Sequence, residues 1–321
     1  MGRYLVTGGA GFIGSNVVQA LLERGEYVRV LDSFATGRRA NLAPFLKDID
    51  LIEGDIRAYH IVQRAVRQVD YIIHLAALPS VPRSLHDPLT THEVNATGTL
   101  NLLYAAAEQR IRRLVYASSS SVYGDSTEGA KHEGLPPQPK SPYAVSKLAG
   151  EHYCRVFTEH FGVPCVALRY FNVFGPRQDP ASPYSAVIPR IGQAALLGQS
   201  PVLYGDGSQT RDFTFVDNVV EANLQACDAP NVAGRVFNIA CGQRVSLLEL
   251  IDEVNYLLLT AIKPQLAPER PGDVRHSQAD IAAATEHLLY RPHVGLREGL
   301  ERTLKYLREM ELPRPDSTGN A

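Results

Sequence analysis

The chain places a tyrosine and a lysine four residues apart, Tyr143 and Lys147, in the amphipathic segment SPYAVSKLAGEHY. Residues i and i+4 are neighbours on a helix surface, so the phenol and the ammonium group can converge there. A tyrosine has a reference pKa of about 10, and it acts as a base near neutrality only if a nearby cation lowers that value. The spacing indicates a candidate proton-transfer pair, although Tyr-x-x-x-Lys also occurs by chance in ordinary helices.

A run of four serines follows the fifth strand-like segment, in ASSSSVYGD. The run comprises Ser118, Ser119, Ser120 and Ser121. Serine runs are often polar turns that hydrogen-bond their own backbone. At the carboxyl edge of a sheet, however, a serine hydroxyl could hydrogen-bond a substrate alcohol while Tyr143 takes its proton and a nicotinamide takes hydride from the same carbon. We expect Lys147 to hold the nicotinamide ribose and to lower the pKa of the tyrosine.

Three glycines with a spacing of three residues, Gly8, Gly11 and Gly14, follow the first strand-like segment and lead into a helix. Glycine permits a tight turn, a close approach of the backbone to a pyrophosphate, and close packing of the helix on the strand. The helix N-terminus supplies amide donors and a favourable dipole for the anion. The arrangement predicts a dinucleotide-binding site that includes Phe12 and Ile13 of the same loop.

Asp32 ends the second predicted strand, where its carboxylate can accept hydrogen bonds from both hydroxyls of an adenosine ribose. The same charge would repel a 2′-phosphate, which favours NAD over NADP, although Arg38 and Arg39 stand nearby. A turn residue at a strand end is the alternative explanation for Asp32. Asp55 and Ile56 follow the third strand and could bracket the adenine, but the GDIR segment is equally typical of a turn. The remaining predicted cofactor contacts follow the fourth strand: Leu75, Ala76 and Ala77.

Short β-branched runs alternate with helix-period stretches through the first half of the chain. Strand-like runs lie at 3–7, 27–31, 50–54, 71–76, 114–118 and 165–170. This alternation predicts an α/β fold with a Rossmann-type doubly wound parallel sheet, covered by helices on both faces. We expect an NAD-binding domain over 1–170 and a smaller mixed α/β C-terminal substrate lobe over 171–321, with a possible return of the chain to the sheet near 236–240. Helices are expected near 187–198, 217–227 and 246–259.

The composition excludes several classes of protein. With 321 residues, 45% apolar residues and a net charge of −2, the chain reads as a globular protein without a basic surface for nucleic acid. The four cysteines show no metal-ligand spacing, so no metal site is expected. No apolar run approaches the roughly 20 residues that span a bilayer, and no membrane partner is expected. The N-terminus resembles a strand rather than a signal peptide, which favours a cytoplasmic location.

These motifs together resemble the extended short-chain dehydrogenase/reductase family, and within it the UDP-sugar 4-epimerases. The resemblance covers nearly the whole chain and rests on the three glycines, the serine run, the Tyr143-x-x-x-Lys147 pair and the C-terminal half. It implies tightly held NAD, a C-terminal lobe for a UDP-sugar, and a homodimer built on two helices per subunit. On this resemblance Ser119, Tyr143 and Lys147 are catalytic, and Ser120 and Ser121 adjoin the substrate.

Related branches of the family differ at the serine run. Dehydratases and decarboxylases carry an acidic residue directly before the VYG or LYG segment, where this chain has Ser121. Elimination chemistry is therefore disfavoured. Oxidation of a hexose to a uronate is also disfavoured, because nothing indicates a nucleophilic cysteine. Epimerisation at C4′ needs little beyond the residues already found.

The resemblance also implies a set of substrate contacts in the second half. Asn172 matches a family asparagine at the diphosphate, and the AVIP segment at 186–189 matches the segment that flanks the uracil. Two arginines match phosphate-binding positions, where a guanidinium fork suits phosphate, although a solvated surface charge is the commoner role of an arginine. The predicted contacts in this half are Asn172, Val187, Tyr204, Arg211, Arg270, Asp273 and Ser277.

Ser277 stands at a position where epimerases confined to plain hexoses carry a bulky residue such as tyrosine. A small side chain there should leave room for a 2-acetamido group. The LPSVPRS segment, which contains Ser80 and Ser84, likewise resembles the N-acetylhexosamine group. We therefore expect interconversion of UDP-N-acetylglucosamine and UDP-N-acetylgalactosamine alongside that of UDP-glucose and UDP-galactose.

Two other functions remain open. A UDP-glucuronate 4-epimerase shares most of these residues, and Arg83 or His276 could meet its sugar carboxylate. Some Rossmann relatives bind a dinucleotide and regulate without catalysis, but those typically lack the Tyr and Lys pair. The helices near 90–108 and 143–160 carry apolar stripes that fit either a two-fold four-helix interface or a second packed face within one subunit.

Overall fold

The structure, a computed structural model, describes residues 1–125, 129–180, 186–268 and 276–311. Strands and helices alternate through the first half, as the hydrophobic pattern predicts. The strands are β1 (Arg3–Thr7), β2 (Tyr27–Asp32), β3 (Ile49–Glu53), β4 (Tyr71–His74), β5 (Arg113–Ser119), β6 (Cys165–Tyr170), β7 (Val173–Phe174), β8 (Val202–Tyr204), β9 (Thr210–Arg211), β10 (Thr214–Phe215), β11 (Val236–Ile239), β12 (Val245–Ser246) and β13 (Gln265–Ala267).

The helices vary from single turns to five turns. They are α1 (Phe12–Glu23), α2 (Arg39–Leu42), α3 (Tyr59–Ala65), α4 (Val81–His86), α5 (Pro88–His92), α6 (Gly98–Gln109), α7 (Pro142–His160), α8 (Val187–Leu196), α9 (Val216–Asp228), α10 (Leu247–Leu258), α11 (Ala282–Leu288) and α12 (Leu296–Glu311). Short 3₁₀ turns lie at Ala43–Phe45 and Ser120–Tyr123, and a π-helical turn, Glu93–Thr97, joins α5 to α6.

Seven strands form one parallel sheet in the order β11-β6-β5-β4-β1-β2-β3. The order reverses between β1 and β4, which is the topological switch point where dinucleotides bind in doubly wound sheets. Strand β4 ends at His74, earlier than the expected 71–76. The Leu75 N–H still makes the last ladder bond, to the Thr7 carbonyl, but the Ala76 N–H donates to the Thr7 hydroxyl instead of to the neighbouring strand's backbone. The predicted Rossmann-type parallel sheet is confirmed.

Helices cover both faces of the sheet, which explains why its strands are almost continuously apolar. One face packs against α1 and α9, with Val17, Leu21 and Val219 in the core. The other face packs against α3, α6 and α7, with Leu102 and Phe157 among the buried residues. The C-terminal ends of the strands consequently form the open edge of the domain.

The second half contributes short two-stranded sheets and helices near that edge. Strand β7 pairs with β10, β8 pairs with β13, and β9 pairs with β12. Strand β11 returns to the main sheet and pairs with β6 in parallel. The division of the chain at residue 170 remains a prediction. In the part of the chain that the structure describes, none of the helices has both the length and the apolar character that a bilayer crossing needs.

Candidate functional site

The loop between β1 and α1 has the backbone shape that its glycines predict. Gly8 has φ +73°, and a Cβ there would lie 2.7 Å from the backbone nitrogen of Ala76. A Cβ on Gly14 would lie 2.1 Å from the carbonyl oxygen of Gly8. Gly11 is the N-cap of α1 and has no side chain to occupy the helix terminus. The loop therefore leaves the first-turn amides at Phe12 and Ile13 accessible to an anion, as a dinucleotide pyrophosphate requires.

Asp32 lies at the C-terminal end of β2, beside this loop. Its carboxylate accepts backbone N–H groups of Ala10 and Phe34, both at 2.8 Å. Burial raises the pKa of Asp32, and these two N–H groups act in the opposite direction. Each carboxylate oxygen keeps a further lone pair with which to accept a ribose hydroxyl. The buried carboxylate fits the adenosine end of NAD.

The nearby arginines are engaged with other carboxylates. Arg39 pairs with Glu53 at 2.7 Å, and Arg38 lies 3.5 Å from Asp179. Both pairs are exposed and individually weak. These ion pairs nonetheless reduce the positive electrostatic potential of Arg38 and Arg39, which would otherwise attract the 2′-phosphate of NADP. This supports the expected preference for NAD over NADP.

The other predicted cofactor contacts follow the ends of β3 and β4. Asp55 accepts from the guanidinium and backbone N–H of Arg57, which lowers its pKa. Ile56 is buried against Gly98, where a Cβ would lie 2.6 Å from the Ile56 side chain. Leu75 and Ala76 are held against Thr7 at the switch point, and the half-buried Ala77 comes next in the chain. These residues line the same strand edge as Asp32, although no direct contact joins Asp55 to Asp32.

Tyr143 occupies the first turn of α7, and this turn brings it to the end of β5. Ser141 caps the helix by accepting the N–H of Ala144 at 3.2 Å, and Pro142 is its first residue. The Ser119 side chain, the last of β5, lies close enough to the phenol to act on its pKa. Burial raises the pKa of Tyr143, while the neighbouring Ser119 hydroxyl lowers it. The structure thus brings together the serine and the tyrosine that the sequence singled out.

Ser121 orients the Ser119 hydroxyl. The Ser119 oxygen accepts the Ser121 N–H at 3.2 Å and the Ser121 hydroxyl at 2.9 Å. A hydroxyl oxygen has two acceptor sites and one proton, so its O–H stays available for the phenol oxygen of Tyr143. Ser120 follows in the same 3₁₀ turn and is half-buried. The serine run is both a hydrogen-bonded turn and a donor aimed at Tyr143.

Lys147 lies one helical turn beyond Tyr143 and is buried. Its ammonium group donates to the carbonyl of Ala117 at 2.8 Å and lies 5.9 Å from the centre of the Tyr143 ring. Burial lowers the pKa of Lys147 to about 8, and the neighbouring Glu151 raises it. The expected lowering of the tyrosine pKa by the lysine is not found in this structure, because burial outweighs a cation at this distance.

A cavity of about 490 Å³ lies beyond β7 and collects several predicted substrate residues. Those on its wall are Asn172, Val187, Tyr204 and Arg211. Asn172 has φ +31°, a backbone region that asparagine enters more readily than most residues. The lining also includes Arg190 and Gln193, which the sequence interpretation missed; their i, i+3 spacing on α8, after the AVIP segment, was an available signal.

Ser277 lies beside this cavity, since its N–H donates to the carbonyl of Thr210, the residue before Arg211. Its side chain is 6% exposed. Ser80 caps α4 by accepting the N–H of Arg83, and its φ of +99° is a strained value for serine. The cavity wall does not include Ser277 itself, nor Ser80, Ser119 or Tyr143. Arg270 and Asp273 lie outside the described residues.

Two further charged residues pack behind the catalytic candidates, and the sequence interpretation missed both. Glu151 and Arg169 form a buried bidentate ion pair with separations of 2.8 Å and 2.7 Å. Glu151 continues the series Tyr143, Lys147 with another step of four residues, which was a signal in the sequence. The sequence around Arg169 gave no comparable signal. Its pairing with Glu151 arises only because β6 lies next to β5 in the sheet, beneath α7.

The comparison with known families agrees with this geometry. A family model described as the NAD dependent epimerase/dehydratase family matches residues 4–240.

The chain belongs to the NAD dependent epimerase/dehydratase family.

Relatives of known type cover almost the entire chain. A UDP-glucose 4-epimerase from Mycolicibacterium smegmatis is 38% identical over 315 residues, which are 95% of this chain and 98% of that protein. The solved structure of a UDP-N-acetylglucosamine 4-epimerase from Methanobrevibacter ruminantium M1, in complex with UDP-N-acetylmuramic acid, is 37% identical with a TM-score of 0.92 and covers 96% of this chain and 99% of that one.

A third match concerns another sugar. A UDP-glucuronic acid 4-epimerase from Bacillus cereus, solved with UDP-glucuronic acid and NAD, is 34% identical with a TM-score of 0.90 and covers 96% of this chain and 99% of that one. The predicted family, fold class, NAD cofactor and enzyme class, an isomerase of the 4-epimerase type, are confirmed. The relatives differ in the sugar that they carry, so the substrate is a separate question.

Proposed function

We propose that the protein interconverts the C4′ epimers of UDP-sugars, acting on UDP-N-acetylglucosamine and UDP-N-acetylgalactosamine as well as on UDP-glucose and UDP-galactose. One observation carries the reaction: the half-buried Tyr143 phenol lies beside the Ser119 hydroxyl at the carboxyl edge of the sheet, with Lys147 one turn away. This arrangement supplies a base and a hydroxyl donor beside the predicted NAD site.

As the phenolate, Tyr143 takes the proton of the sugar 4′-hydroxyl, and Ser119 hydrogen-bonds the same oxygen. Bound NAD would supply the hydride acceptor for C4′ and, after the flat 4-keto sugar has turned over, the hydride donor to its opposite face. Lys147 binds the nicotinamide ribose, and its charge lies on the same side of α7 as Tyr143. When the sugar is reduced again, Tyr143 returns the proton.

The sugar must turn over inside the site, so binding energy has to act on the nucleotide rather than on the hexose. The cavity beside β7 suits that task. Arg211 and Asn172 line it and would contact the diphosphate, while Val187 and Tyr204 provide a partly apolar wall for the uridine. We propose Arg270 and Asp273, matched by resemblance only, as further contacts to the phosphate and the ribose.

The size of Ser277 supports the acetamido sugars. Its short side chain is buried next to the Thr210–Arg211 strand, so a bulky replacement would displace neighbouring groups. Ser80, at the strained turn before α4, offers a hydroxyl near the sugar in this proposal. A small residue at this position would leave room for a 2-acetamido group and would not hinder a 2-hydroxyl.

A UDP-glucuronate 4-epimerase is the second candidate. His276 precedes Ser277, and its Nδ1 hydrogen-bonds the Thr210 hydroxyl at 3.0 Å. When protonated, this imidazole could approach a sugar carboxylate. The solved glucuronate epimerase from Bacillus cereus gives this alternative a concrete basis.

We further propose a homodimer. Exposed apolar side chains recur on α4 to α7, which include α6 and α7, the helices expected at a two-fold interface. They are Leu85 (61% exposed), Leu89 (77%), Tyr104 (50%), Val145 (49%) and Val156 (37%). Pairing α6 and α7 with those of a second copy would remove these side chains from water.

The substrate is tested by incubating the purified protein, without added cofactor, with UDP-N-acetylglucosamine, UDP-glucose and UDP-glucuronate in separate samples. The anomeric protons are followed by NMR. Galacto-configured products from the first two sugars are expected. Turnover of UDP-glucuronate alone would replace the proposal with the second candidate, and turnover of UDP-glucose alone would remove Ser277 as the basis of acetamido specificity.

A further inference from the structure

Glu151 connects the catalytic helix to two strands of the sheet. It lies on α7, one turn beyond Lys147, and its side chain is buried. Its carboxylate accepts the Ser118 hydroxyl at 2.5 Å and two N–H groups of Arg169, the Nε at 2.8 Å and an Nη at 2.7 Å. These donors are charge-assisted and bidentate, the strongest class of protein hydrogen bond.

The two partners of Glu151 sit side by side. Ser118 on β5 and Arg169 on β6 are register partners in the parallel sheet. The carboxylate therefore bridges two adjacent strands from the helix above them. Ser118 directly precedes Ser119, so this bridge sets how α7 lies relative to the Ser119 hydroxyl beside Tyr143. Arg169 also stacks over the Tyr123 ring at 4.5 Å, which extends the support to the turn after the serine run.

Glu151 is also the negative charge beside the Lys147 ammonium group. The titratable groups that face Lys147 are His74 on β4, Tyr116 on β5, and Tyr143 and Glu151 on its own helix. Burial lowers the pKa of His74 to about 3, so this imidazole is neutral near pH 7. Burial raises the pKa of Tyr116 and of Tyr143. The carboxylate of Glu151 thus opposes the desolvation of the buried lysine.

We propose that Glu151 is a positioning residue of the reaction, which holds Tyr143 against Ser119 through Ser118 and Arg169 and keeps Lys147 charged. This inference rests on the proposed function, since it deepens the role of the same site. Glu151 then has two separable effects: one on the position of Tyr143 relative to Ser119, and one on the charge of Lys147.

The test compares three variants with the wild-type enzyme. Glu151→Gln removes the charge and keeps the size, Glu151→Asp keeps the charge and shortens the side chain, and Ser118→Ala removes one hydrogen bond while leaving the carboxylate. The pH dependence of kcat is measured with UDP-glucose. In addition, NAD affinity of nucleotide-free protein is measured against pH by calorimetry, because the chain contains no tryptophan for fluorescence quenching.

Wild-type activity should fall as Lys147 loses its proton, with a midpoint related to its pKa of about 8. Glu151→Gln should move that midpoint down by about one pH unit, because removing an adjacent opposite charge lowers a lysine pKa by about that amount or more. Glu151→Asp and Ser118→Ala should lower kcat without moving the midpoint. An unmoved midpoint in Glu151→Gln, with an equal loss of kcat at every pH, would overturn the inference.

Two measurements keep the test decisive. If Glu151→Gln does not fold, Arg169→Lys keeps the cation but loses the bidentate geometry, and it should lower kcat with little change in KM; an unchanged kcat would contradict positioning.

If the wild-type enzyme does not turn over UDP-glucose, the proposed function fails, while the NAD titration still decides this inference. Glu151→Gln should then lose NAD affinity at a lower pH than wild type. Identical profiles of NAD affinity against pH for the two proteins would overturn the inference about Glu151.

Discussion

The Ser119 hydroxyl lies beside the phenol of Tyr143 at the junction between the end of β5 and the first turn of α7, and it lowers the pKa of that phenol. Two donors from Ser121 occupy the acceptor sites of the Ser119 oxygen, so the serine proton is available to the tyrosine oxygen. A donor in that position stabilises the phenolate relative to the phenol. Burial still keeps the pKa of Tyr143 raised. When NAD is bound, the positive charges of Lys147 and of the oxidised nicotinamide would therefore have to stabilise the phenolate.

Replacing Tyr143 with phenylalanine removes the proposed base without changing the ring. We expect Tyr143→Phe to lower kcat by about 10² to 10⁴-fold, the usual contribution of a positioned general base. NAD content and the melting temperature should change little. Tyr153→Phe is the matched control, because it makes the same change on the same helix, where Tyr153 packs against the core. Activity of Tyr143→Phe close to that of the control would argue against the assigned role.

Asp32 should determine both the affinity and the type of dinucleotide. We expect Asp32→Asn to weaken NAD binding by about 10- to 100-fold, since hydrogen bonds to a charged group contribute about 1.5–3 kcal/mol. The same variant should narrow the preference for NAD over NADP, because the charge that repels a 2′-phosphate is gone. Calorimetric titration with both dinucleotides measures this. Unchanged NAD affinity would leave Asp32 with only its structural bonds to Ala10 and Phe34.

Much of this arrangement could be predicted from the sequence because its determinants are local. A strand, a glycine turn and a helix follow one another within residues 3–23, and Tyr143 and Lys147 share one helix. Both features follow from short-range backbone geometry. The Glu151–Arg169 pair could not be predicted in the same way, because it depends on which strand lies beneath α7.

The direction in which the pKa of Tyr143 shifts could not be predicted from the local sequence either. The spacing of Tyr143 and Lys147 predicted a lowered pKa, but the desolvation that raises it comes from side chains distant in the sequence. The cavity beside β7 likewise combines segments from 172 to 247, so its volume has no signature in any one motif.

Ser277 should act on sugar choice rather than on catalysis. We expect Ser277→Tyr to suppress turnover of UDP-N-acetylglucosamine by about 10-fold or more and to spare UDP-glucose, because pocket size separates substrates by about 1–3 kcal/mol. Ser277→Ala is the size-matched control and should leave both rates near wild type. Rates are compared as kcat/KM for the two sugars. Equal loss on both sugars would contradict a role in specificity.

The proposed dimer depends on the exposed apolar side chains of α6 and α7. Val145→Glu places a charge at the predicted interface, and we expect it to shift the protein from dimer to monomer in analytical ultracentrifugation. Leu248→Glu on α10 is the control, since Leu248 is comparably exposed, 41% against 49% for Val145, but lies in the other half of the chain. The same sedimentation behaviour for both variants would exclude α7 from the interface.

In the proposed reaction, hydride leaves C4′ and returns to the same carbon within one site. This is tested by incubating the enzyme in ordinary water with UDP-glucose deuterated at C4′ and examining the product by NMR. We expect UDP-galactose that retains deuterium at C4′, because Tyr143 exchanges only the hydroxyl proton. UDP-galactose carrying solvent hydrogen at C4′ would contradict it, since the carbon-bound hydrogen would then have passed through water.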